Sequence, residues 1–145
     1  MSVSYEVDPD CRLTVIVFAD EVSGADMLAM TERLLTDPRH LPGQDCIADM
    51  RRLRDMTANA SHFQTLGVLQ GDFVQQRGAR SRIALIAPGD LALGMSRMYA
   101  GFSDEGAKDF IMTCDTVEAA ADWIGVPRAA AEALLARLYG DPPPR

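Results

Sequence analysis

Two stretches, "LTVIVF" at 13–18 and "SRIALIAP" at 81–88, are apolar at almost every position and are too short to be buried helices. A strand that shows one face to water alternates, whereas a strand that stays apolar throughout is covered on both faces, as in parallel sheets. Parallel strands cannot be joined by tight turns, so covering segments must separate them. The chain supplies these: "SGADMLAMTERLLTDPR" sets Met27, Met30 and Leu34 on one helical stripe, with Ser23 as a cap and Pro38 ending the run. From Ser61 to Gly78, residues Phe63, Leu66, Leu69 and Phe73 recur at near-helical spacing. "GDLALGMSRMYAGF" places Leu91, Met95, Met98 and Phe102 at i, i+4, i+7 and i+11.

The remaining pieces complete the alternation. "VSYEVD" at 3–8 meets 11–18 across an Asp-Pro turn, which predicts a hairpin. "QDCIADM" reads as a strand ending in Asp49, and "AKDFIMTC" as a final strand after the turn "SDEG". Asp115 is the expected cap of the helix "TVEAAADWIG", which Gly125 stops. Pro127 opens a last helix bearing Leu134, Leu135 and Leu138. This order predicts an α/β domain, a mostly parallel sheet with helices packed on it and the first strand as an antiparallel edge.

Composition narrows the function. Asp plus Glu outnumber Lys plus Arg by 21 to 14, a formal charge of −7, so nucleic acid, which needs a basic face, is not an expected partner. No apolar run approaches the roughly 20 residues that cross a bilayer, and "MSVSYEVDPD" is polar and acidic rather than a targeting segment. Cys11, Cys46 and Cys114 are isolated thiols, the pattern of a reduced, cytoplasmic protein. Only His40 and His62 exist, and His62 beside Ser61 points elsewhere on a helix, so no nucleophile–base pair is formed. Zinc spacing, phosphate loops and nucleophile elbows are absent, so neither catalysis nor a metal or cofactor is expected.

Two groups of residues are candidate sites. In open α/β sheets, ligands gather beyond the carboxyl ends of the strands. That edge would collect Asp49, Arg51, Arg52 and Arg54 after the third strand, Thr57 and Ser61 toward the next helix, and Gly89 and Asp90 after the fourth. Forked guanidinium donors and helix N-termini there would form an anion-accepting lip, with Asp49 and Asp55 to neutralise it. Ser61 begins the capping pattern Ser-x-x-Gln with Gln64. The second group is apolar: Met27, Met30, Leu91, Met95, Met98 and Phe102 would line a groove between helices, where adaptable methionines suit a ligand.

In layout the sequence resembles the STAS-like superfamily, small bacterial proteins related in fold to the sporulation anti-anti-sigma factor. The resemblance is carried by "VSYEVDPDCRLTVIVFADEVSGADMLAMTERLLTDPR", "DCIADMRRL", "SRIALIAPGDLALGMSRMYAGF" and "DTVEAAADWIG". It implies a four- to five-stranded sheet with helices mainly on one face, over a domain of residues 1–126. A further helix at 127–139 would pack on that domain or on a second subunit, making a homodimer, and 140–145 would be a flexible tail. The resemblance also implies a regulatory role in protein–protein interaction, gated in signalling relatives by a phosphorylated Ser or Thr at the helix after the third strand. "DMRRLRDMTANASHF" occupies that place without the Asp-Ser-Ser-Gly-like pattern, leaving Thr57 and Ser61 as its hydroxyls. The leading expectation is thus a non-catalytic interaction module meeting a protein partner. The alternative is a carrier or sensor of a small apolar, lipid-like ligand.

Overall fold

The computed structural model describes residues 2–103 and 105–140. Five strands form one sheet in the order β1 (Val3–Asp8), β2 (Leu13–Val22), β3 (Asp45–Met56), β4 (Ile83–Ile86), β5 (Ile111–Cys114). β1 runs antiparallel to β2, and every other pairing is parallel. The helices are α1 (Gly24–Leu35), α2 (Ala60–Arg77), α3 (Asp90–Phe102), α4 (Val117–Ile124) and α5 (Arg128–Tyr139).

This strand order explains the placement of the helices. β2 to β5 advance in one direction, and right-handed crossovers then put α1, α2 and α3 on the same face. Met27, Met30 and Leu34 of α1, Phe63 and Leu66 of α2, and Ala92 and Met95 of α3 accordingly share one buried cluster with Ile16, Phe18, Ala48 and Leu85. The alternate residues Val15, Val17, Ile47, Ala84 and Ile86 point the other way, under α4 and α5. Both faces are covered, as the continuous apolarity of 13–18 and 83–87 requires. α5 covers β1 and β2 of its own sheet, with Ala131, Leu134 and Leu135 buried. Of the tail expected at 140–145, only Gly140 lies within the described residues.

Four local expectations are corrected. β3 does not end at Asp49; its partner β4 ends there, at Asp49↔Ile86, but β2 continues alongside to Val22↔Met56. The arginine-rich stretch is therefore one strand of a ribbon projecting past the sheet. The ribbon is irregular: its pairing shifts register between Val17 and Ala19 and between Asp20 and Glu21, each time leaving an extra residue in β3, and Asp20 sits at φ 57°, a left-handed conformation that aspartate tolerates better than most residues. Ser61 is not the cap of α2: Asn59 accepts from the His62 N–H, and His62 Nδ1 accepts from the Asn59 N–H. A histidine here fills the role that glutamate or glutamine usually takes. Thr116, not Asp115, caps α4, accepting from Ala119 N–H at 3.1 Å. The segment before β5 is a 3₁₀ turn over Glu105–Phe110, so the last strand is only Ile111–Cys114.

Candidate functional site

α2 packs chiefly on α1 and α3, spanning the gap between them. Beneath it lies a cavity of about 130 Å³. Period-two geometry aims Ile16 and Phe18 of β2, Cys46 and Ala48 of β3, and Ile83 and Leu85 of β4 into its floor. The central strand contributes the small side chains Cys46 and Ala48 to that floor, between larger neighbours. Met27, Met30 and Leu34 form one wall, Met95, Ser96 and Tyr99 the other, and Phe63, Leu66, Gly67 and Gln70 the roof. Gly67 is what lets the roof meet α3, because a Cβ there would collide with the Phe102 carbonyl oxygen. At the start of α1, Gly24 similarly makes room for the His62 ring.

The polar groups of the lining are few, and its buried side-chain polar atoms are, with one exception, hydrogen-bonded. Tyr99 donates its hydroxyl to Gln70 Oε1 at 2.7 Å, and Thr31 donates to the Met27 carbonyl at 2.9 Å. His40 Nδ1 lies 2.9 Å from Thr14 Oγ1, which also accepts from Gln44 Nε2 at 3.1 Å. The His40 ring stacks near Phe73, with centroids 5.9 Å apart. Arg80 also reaches the cavity, where its guanidinium stands over the Phe110 ring. Ser96 Oγ is the exception: it is the one buried side-chain polar atom among the described residues without a hydrogen-bond partner.

Burial drives three ionisable groups of the lining toward neutrality. It pushes the Cys46 thiol up to about 12, raises Tyr99 above its ordinary value, and lowers His40 below its own. Cys46 therefore stays a thiol at neutral pH and behaves as a small apolar floor group rather than a nucleophile. No group of three or more His, Cys, Asp or Glu among the described residues is arranged to hold a metal ion.

Of the residues expected in an apolar groove, Met27, Met30 and Met95 line the cavity, joined by Met50 and Met56. Leu91 and Phe102 are exposed, at 37% and 41%, and Met98 packs at the cluster margin outside the lining. The buried stripe of α3 runs through Ala92, Met95 and Ser96 instead, because small residues allow the helix to approach the sheet. Ser96, Tyr99, Gln70 and His40 escaped the sequence reading. Two signals pointed to the site: the i, i+4, i+7 series Ala92, Ser96, Tyr99, and the small alternate residues Cys46 and Ala48.

The expected rim is organised differently. Asp49 and Asp90 do lie toward one edge, since Asp49 pairs with Ile86, the last residue of β4. However, the strands advance without reversing order, so the sheet has no switch point, and the recess at their carboxyl ends is an open groove lined by Arg51, Arg52, Glu132 and Tyr139. Arg51 grips fully buried Asp49 through Nε and Nη2, and Tyr139 of α5 donates to the same carboxylate. Burial and then the Asp49 carboxylate push the Tyr139 hydroxyl above its usual range. Arg52 stacks over the Tyr139 ring at 3.6 Å, and Arg54 lies 3.9 Å from Asp20. These arginines anchor the end of α5 and the β2–β3 ribbon. Thr57 and Ser61 are exposed beyond the ribbon's far end, and Gly89 and Asp90 begin α3. No helix among the described residues is long and apolar enough to cross a membrane. No protein-family model matches the chain, and no curated protein matches it.

Proposed function

We propose that this protein binds one small, uncharged, largely apolar molecule in the cavity beneath α2. The observation that carries the reading is the lining itself: methionine, leucine, isoleucine and phenylalanine side chains surround a few placed polar groups, the usual make-up of a small-molecule site. An apolar cavity of roughly 150 Å³ is known to stay dry and to accept benzene, so about 130 Å³ sets the scale of the guest at a single ring or a short branched chain. A long acyl chain exceeds it. The protein acts by capture and release, without covalent chemistry, as a carrier or sensor.

The test is mass spectrometry of an organic extract of the protein isolated from its own host, beside a Met95→Trp variant that fills the cavity. A small neutral compound present in stoichiometric amount in the wild type and missing from the variant is expected. Equal extracts from both proteins would count against the proposal.

A second reading, a protein-interaction module, draws on Leu91 and Phe102, two of the four exposed large apolar residues among those described, both on α3. It predicts that Leu91→Asp combined with Phe102→Asp abolishes recovery of a specific partner while leaving the melting temperature unchanged. Retained recovery would remove it.

A further inference from the structure

We infer that the molecule held beneath α2 carries a single neutral oxygen function, a hydroxyl or a carbonyl, and that Ser96 Oγ is the group that recognises it. The inference rests on the cavity being a ligand site. Ser96 is only 2% exposed, lines the cavity, and has no hydrogen-bond partner for its hydroxyl.

Other hydroxyls of the chain show how unusual this is. Thr31, Thr36, Thr65 and Ser103 each donate to the carbonyl four residues earlier, the ordinary solution for a hydroxyl on or just after a helix. Ser96 has the same option in the Ala92 carbonyl and does not take it. Its hydroxyl is withdrawn from water without compensation, a cost that disappears when a guest supplies the missing partner.

The chemistry of that partner follows from what surrounds it. A hydroxyl offers one proton and two lone pairs, which suits an alcohol, a phenol or a ketone. A carboxylate buried in an apolar site needs several donors; Ser96 provides one, and the Arg80 guanidinium of the lining is engaged with partners of its own, the Phe110 ring among them. The proton of Thr31 is spent on Met27 and that of Tyr99 on Gln70. The neutral states favoured at Cys46, Tyr99 and His40 fit an uncharged guest.

Calorimetric titration with phenol, toluene and benzoate, on the wild type and on Ser96→Ala, tests the assignment. Phenol and toluene have the same shape and differ in the oxygen, and Ser96→Ala deletes only an unpartnered atom, so the variant is expected to fold. The ratio of phenol to toluene affinity should fall about tenfold in Ser96→Ala, the worth of one hydrogen bond, with toluene affinity unchanged. An unchanged ratio, with both probes bound, would overturn the role of Ser96 and leave the cavity reading standing. Benzoate binding more tightly than phenol would overturn the neutral-oxygen class. Failure of the wild type to bind either phenol or toluene would overturn the cavity reading and this inference together.

Discussion

The two faces of the sheet are built from the same strands and differ in how they are filled. Under α4 and α5, Ala84, Ala120, Ala121 and Ala131 are fully buried beside Leu13, Val15, Ile47 and Ile86, so the helices sit close to the sheet, and the space on this face is an open groove at its edge, lined by Arg51, Arg52, Glu132 and Tyr139. Under α1 to α3, methionines and a few polar side chains surround a cavity. Close packing of small and branched residues gives density and stability, whereas an unfilled volume forfeits dispersion contacts. One face holds the fold together, and the other gives up some stability for an interior that can accept a guest.

The largest expected effect lies on the closed face. Leu134→Ala should lower stability by about 3 kcal/mol in denaturant unfolding, because a buried leucine is lost where neighbours cannot collapse. Arg51→Ala, at the anchor of α5, should cost about 2 kcal/mol by the same measurement. It leaves the buried Asp49 carboxylate with less compensation, but Arg51 is itself partly exposed and Tyr139 remains.

A matched pair sharpens the contrast between the faces. Ala84 and Ala48 sit on neighbouring strands and point to opposite sides. Ala84→Val should destabilise by about 1–3 kcal/mol through overpacking, whereas Ala48→Val, extending into the cavity, should shift stability by less than about 0.5 kcal/mol. Equal costs would erase the difference between the faces.

A further modest effect is pH-dependent. Burial lowers the folded pKa of His40, so as pH falls below about 6.5 the unfolded chain takes up a proton before the folded one does. Stability is full above that pH and should decline by at most about 1.4 kcal/mol by pH 5.5. Asp37 is also shifted, but downward by Arg39, so its contribution is lost only near and below the ordinary carboxylate range. Comparing melting temperatures at pH 7.5 and 5.5 for the wild type and His40→Gln isolates the histidine: the variant should lose the decline.

The sheet and its crossovers were legible because periodicity records burial directly. "LTVIVF" and "RIALIA" announce strands covered twice, and Met27, Met30 and Leu34 announce the face of α1. The end of β3 was not legible, since its arginines are held in a strand by pairing with residues some thirty positions earlier, as in Ala19↔Arg52. On α3 the large residues Leu91, Met98 and Phe102 drew the stripe to the wrong side, when Ala92 and Ser96 mark the close approach. The Ala92, Ser96, Tyr99 series marks the face on which Ser96 lies but not its role. The importance of Ser96 lies in a hydrogen bond it does not make, which only the packed structure reveals.

Methionine methyl NMR of the intact protein tests the cavity most directly, because the residues report on both faces at once. Met27, Met30, Met50, Met56 and Met95 line the cavity, and Met112 packs on the opposite side. Titration with toluene should shift the first group in a saturable manner and leave Met112 in place. Shifts that grow without saturation, or that involve Met112 as strongly as Met95, would contradict a ligand site beneath α2.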